Sequence, residues 1–256
     1  MIFFKNIGLT VLLVSLFSGC VSTQDRIESL LQTSAATVIK NDYKNIAQQL
    51  IVFKDKLDKR NPKSYDKELA PLMYTQINEL ENKINLKYGS NEIGSYKEYL
   101  QIAFSKTDIQ NRDDYLILGM YKLMYDAYDI QDGHRVSAFS YNEEKLQRLF
   151  HNLQILKWKI KTAKDLKEEY LFLTWQNNWQ IELEKRVRKG EKPTFEELQN
   201  LEYIKNNKES LFSSSNTSFE VILTQMIQHV KNSLETLGVE PVDMGIEAIK
   251  SVFIFL

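Results

Sequence analysis

The chain has 256 residues with only 9 Gly and 4 Pro, against a usual combined share of roughly 12%. So few turn-formers speak against a many-stranded β fold or a Gly-looped nucleotide binder, and 43% hydrophobic with 11% aromatic residues speaks against disorder. Lys and Arg (33) nearly balance Asp and Glu (34), which leaves no electrostatic footprint for nucleic acid; one Cys excludes an internal disulfide, and three His leave little for His-rich metal chemistry.

Residues 1–20 read MIFFKNIGLTVLLVSLFSGC. Lys5 is the single charge, and Ile7 to Phe17 is an apolar run of 11. That is the length of a signal h-region, and a spanning helix needs about 20 residues. Phe17-Ser18-Gly19-Cys20 resembles the lipobox of bacterial lipoproteins, a large aliphatic residue, a small one, Gly or Ala, then Cys, with Phe17 standing where Leu is usual. The resemblance implies cleavage between Gly19 and Cys20 and acylation of Cys20, palmitate included. Two or three acyl chains hold a protein on a membrane where one gives only marginal binding. Val21, where Asp would retain a lipoprotein at the inner membrane, implies an outer-membrane, periplasm-facing location in a host with two membranes. The predicted organisation is 1–19 signal peptide, 20–23 lipidated Cys and tether, and 24–256 a single helical domain.

From Gln24 to Arg60 the periodicity is helical, with Ile39, Tyr43, Ile46, Leu50, Phe53 and Leu57 in steps of three and four. Asn61-Pro62 ends this helix, because the residue before Pro is pushed out of the α region. Ser64 is the expected cap of a second helix striped by Leu69, Met73, Ile77, Leu80 and Ile84. Gly89 is expected to cap that helix, and Ser95 with Glu98 forms a capping box for a third, to Lys106. Asp108–Asp132 is apolar on both sides, around Leu116, Met120, Leu123 and Tyr115, Leu118, Tyr121. That marks a central helix packed by several neighbours.

Asn142–Lys164 carries heptad steps through Leu146, Leu149, Leu153, Leu156 and Ile160. Leu171, Trp175, Trp179, Leu183 and Val187, four apart each time, predict another helix. Pro193-Thr194 opens a short helix to about Lys208, Ser210–Ser218 is a linker, and Phe219–Leu237 is amphipathic. Pro241 is expected to open a last helix striped by Val242, Ile246, Ile249, Phe253 and Leu256. The fold class is therefore all-α, a bundle of about eight helices.

Chemistry-bearing patterns are sparse. Asp126, Asp129 and Asp132 before Gly133-His134 offer carboxylates to a divalent cation, although the spacing is not that of an EF-hand; a solvated helix end is the plainer reading. Trp175-Gln-Asn-Asn178-Trp179 sets two Trp beside amides, so Trp175, Asn178 and Trp179 are the candidate glycan-binding residues, with core packing as the alternative. Adjacent acids such as Asp113-Asp114 point about 100° apart on a helix and make no acid–base dyad. No nucleophile-elbow or zinc-protease motif occurs, so no catalytic residue, metal or cofactor is expected. The expected function is a non-enzymatic accessory or scaffold, anchored to the membrane through Cys20 and binding another envelope protein. The alternatives are a glycan- or lipid-binding module and, behind it, a cell-wall hydrolase.

Overall fold

A computed structural model describes residues 23–132, 140–214, 216–252 and 255, with side chains from residue 31. Gly19 and Cys20 lie outside the described residues, as do Gly133, His134, Phe253 and Leu256. The described residues form ten α-helices, two 3-10 turns and one small hairpin, an almost wholly helical architecture. In chain order the helices are α1 (Thr23–Arg60), α2 (Leu69–Glu79), α3 (Tyr96–Ala103), α4 (Arg112–Ala127) and α5 (Glu143–Thr162). They continue with α6 (Asn178–Arg188), α7 (Phe195–Gln199), α8 (Glu202–Lys205), α9 (Thr217–Thr236) and α10 (Ile246–Ser251). No described helix is long and apolar enough to cross a membrane.

The stripe on α1 is the seam of the bundle. Ile39, Ile46, Leu50, Phe53 and Leu57 are all buried, and they pack against α9. Helix α9 also packs on α5, and α4 touches α1, α2, α3 and α5. Fourteen of the sixteen residues of α4 are buried, in keeping with its apolar character on both sides. Gly119 lets α4 approach α3: a Cβ there would lie 2.9 Å from Leu100 Cγ and 3.1 Å from Tyr99 Cβ.

Several boundaries differ from the sequence reading. Helix α2 is capped by Asp66, whose carboxylate accepts from the Glu68 and Leu69 amides, and not by Ser64. It ends where Leu80 turns left-handed (φ 57°), so Ile84 lies beyond it. Gly89 does not cap a helix. With φ +62° it turns a hairpin in which Lys87 pairs with Glu92 and Tyr88 with Asn91. The Ser95–Glu98 capping box forms as expected. The segment 194–208 folds as two short helices, α7 and α8, which takes the bundle past eight.

The C-terminal stripe is also corrected. The segment before α10 is held extended against α5: His151 Nε2 donates to the Val242 carbonyl (3.2 Å), and the Met244 amide donates to Gln154 Oε1 (2.9 Å). The helix therefore starts at Ile246 and not at Pro241, and Val242 and Ile246 remain exposed. Val252 leaves the helix with an extended backbone, which resets the register. Phe255, off the expected stripe, is buried against Phe104 (5.6 Å between centroids) with Lys159 over its ring (4.7 Å).

Candidate functional site

The irregular end of the molecule is built around α6. After α5 the chain does not continue as a helix through Trp175. The Leu171 amide donates to the Ala163 carbonyl (2.9 Å), folding residues 163–177 back on themselves. Phe172 inserts into the core beside Phe104 (5.4 Å). The Asn177 amide donates to Gln180 Oε1 (2.9 Å), a capping contact that starts α6 at Asn178. Trp175 therefore lies on the loop and Trp179 on the first turn of α6, not one helical turn apart. The four-residue spacing is real, but local side-chain bonds of Gln176 and Asn177 compete successfully with helix.

Arg60 and Asn61, at the end of α1, clamp this loop. The Arg60 guanidinium donates to the Gln176 carbonyl and to Asn178 Oδ1, both at 2.7 Å. Asn61 exchanges hydrogen bonds with the Leu173 backbone (3.1 and 2.9 Å). Asn178 Nδ2 donates to Glu209 Oε1 (2.8 Å), so both ends of that amide are occupied within the protein. Asn178 is thus a structural clamp and not a free contact.

Two clefts result. One, about 650 Å3, lies between the Pro62–Ser64 turn, α6 and Tyr203. The other, about 770 Å3, lies between the end of α5, the loop and α6, with Trp175 and Trp179 in its walls. Tyr170 and Glu184 line both and divide them. Tyr170 donates to Glu184 Oε1 (2.7 Å), and Lys164 pairs with Oε2 (3.0 Å). Burial and that hydrogen bond push the Tyr170 hydroxyl up to about 12. The candidate trio is therefore split: Asn178 faces the first cleft, Trp175 and Trp179 the second.

The other sequence candidates resolve into structure. Lys145 pairs with Asp126 (3.2 Å) and Asp129 (2.7 Å), so two of the three acids share an ammonium group, and the Asp132 side chain lies outside the described residues. No group of described residues could hold a metal ion. The structure also brings together Asp42, His229 and Ser233, which the sequence did not single out, but the Ser233 hydroxyl donates to Asp42 (3.0 Å). A nucleophile needs its Oγ on the imidazole, and Ser233 is fully buried.

The sequence reading missed the most charged feature of the core. Lys54, fully buried, donates to Asp58 (2.9 Å) and Asp114 (2.8 Å). Burial works against its ammonium, but Asp114 and Asp58 outweigh burial and hold it protonated. Asp113, 1% exposed, has no hydrogen-bond partner at either oxygen among the described residues. Burial, then repulsion from Asp58, drives its carboxyl well above the ordinary range. The available signal was Lys54 at four residues from both Leu50 and Asp58, on the inward stripe of α1.

No family model, curated protein or solved structure matches the chain.

Proposed function

We propose that this is a lipid-anchored envelope protein acting without catalysis, as an accessory or scaffold that binds another envelope protein. The anchor is Cys20, and the location is the outer membrane, facing the periplasm. The supporting observation is the distribution of exposed apolar groups. Helices α6, α7 and α8 bury no residue, and around them Leu166 (75%), Val187 (50%), Phe195 (68%) and Phe212 (94%) stand open to solvent. They are four of the thirteen large apolar residues exposed among the described residues, and we take them as parts of one docking face, as contiguous exposed apolar patches are at interaction sites.

Its place along the chain adds to the reading. Helix α1 begins three residues after Cys20 and runs 38 residues to Arg60, which clamps this region. At a rise of about 1.5 Å per residue, the helix carries its far end roughly 57 Å from its start.

Two measurements test this. Radiolabelled palmitate should mark the wild type and not Cys20→Ser; equal labelling of both rejects the anchor. In-cell crosslinking should join the wild type to one discrete partner and lose that adduct in the double variant Val187→Ser, Phe212→Ser. These surface changes should move stability by no more than about 0.5 kcal/mol. An unchanged adduct in the folded double variant rejects the docking face.

A further inference from the structure

We infer that the cleft walled by Trp175 and Trp179 is a saccharide-binding site. This stands apart from the protein-docking reading. At about 770 Å3 the cleft falls in the range of small-molecule sites, roughly 300–1,000 Å3. A pyranose ring presents C–H bonds on its faces and hydroxyls around its rim. It needs flat apolar walls with hydrogen-bonding groups at their edges, and aromatic side chains with a polar handle supply that combination.

The walls here are fixed before any ligand arrives. Trp175 Nε1 donates to Glu220 (2.7 Å), and its ring packs on Phe219 (6.0 Å between centroids). Tyr170 is held by Glu184. Rings already ordered lose little freedom on binding. The edges carry an unused polar group. Gln180 spends its oxygen on the Asn177 amide, which leaves its NH2 available. The Trp179 indole N–H has no acceptor among the described residues, but it is buried within the wall, so the ring offers the cleft its apolar surface.

Charge refines the class. Lys164 and Glu184 neutralise each other, whereas Lys161, exposed and 5.8 Å from the Trp175 ring centroid, forms no ion pair among the described residues. One spare ammonium beside aromatic walls suits a sugar that carries a carboxylate.

The test uses the full-length protein in detergent, titrated with the tetramer of N-acetylglucosamine and with N-acetylmuramic acid, which adds a carboxylate. Tryptophan fluorescence and calorimetry read the binding. Saturable binding of at least one probe is expected. Trp179→Ala should weaken it by about tenfold or more, with little change in melting temperature, and Trp179→Phe should keep most of it. Lys161→Gln, at an exposed position, should remove the preference for the acidic sugar and provides the test should Trp179→Ala not fold. No saturable binding of either probe by the wild type overturns the site. So does binding that is unchanged in folded Trp179→Ala, or a preference that survives Lys161→Gln.

Discussion

Lys54→Ala should destabilise the protein by about 3–5 kcal/mol, the usual cost of removing one partner from a buried ion pair. The ammonium at the centre of the core bonds Asp114 Oδ1 and supplies two of the contacts to Asp58. Without it those carboxylates remain buried, beside Asp113, with no counter-charge from Lys54. Urea denaturation of the two proteins measures the difference, and a loss below 1 kcal/mol would refute a structural role for the triad.

The neighbouring change Asp113→Asn should act in the opposite direction. The folded state holds the Asp113 proton to a higher pH than the unfolded chain, where the group has its ordinary value of 3.8. Where the native state binds more protons, stability falls as pH rises. Wild type and Asp113→Asn should therefore be similarly stable near pH 4. The variant should gain on the wild type as pH rises above that, up to the raised value of the buried carboxyl, and hold its lead beyond it. Asp58 and Lys54 from α1, with Asp114 and Arg112 from α4, set that field. Unfolding free energies at a series of pH values check the slope; two parallel curves would contradict it.

Phe255→Ala should cost roughly 3 kcal/mol, the lower end for a buried Phe truncated to Ala. Its ring fills the space between Phe104 and the Lys159 side chain, and Phe104 in turn packs on Phe172 from the loop that carries Trp175. Truncation after Ser251 should lower the melting temperature to a similar degree. A tail that sought a membrane or a partner instead would leave melting unchanged. The residue that anchors the tail lies outside the helical stripe that the apolar spacing suggests. The stripe assumes one unbroken helix, and the hydrogen bonds of Gln154 and His151 prevent it.

Long periodic segments were readable because burial imposes their spacing. Ile39 through Leu57 on α1 and Leu146 through Ile160 on α5 are buried as their steps require. The Ser95–Glu98 capping box was readable because both partners are local in sequence. The stripe through Trp175 and Trp179, spaced by four each time, also suggested a helix and misled. Leu171, Trp175, Trp179 and Leu183 are only half-buried and Val187 is exposed, so packing does not enforce the period, and Asn177 captures the backbone first.

The sequence by itself determined the helical class, the α1 seam, the central place of α4 and the resemblance of residues 17–20 to a lipobox. These rest on contiguous residues, whose patterns are written in order along the chain. Only the tertiary structure decided what depends on residues far apart. It brought Lys54 to Asp114 across 60 positions and Arg60 to Asn178 across 118, and it placed Phe255 against Phe104. It also divided Asn178 from the two Trp, between clefts that exist because the loop after α5 folds back. Local spacing carries no record of such pairings, because each is selected by the free energy of burying charge and ring surface together.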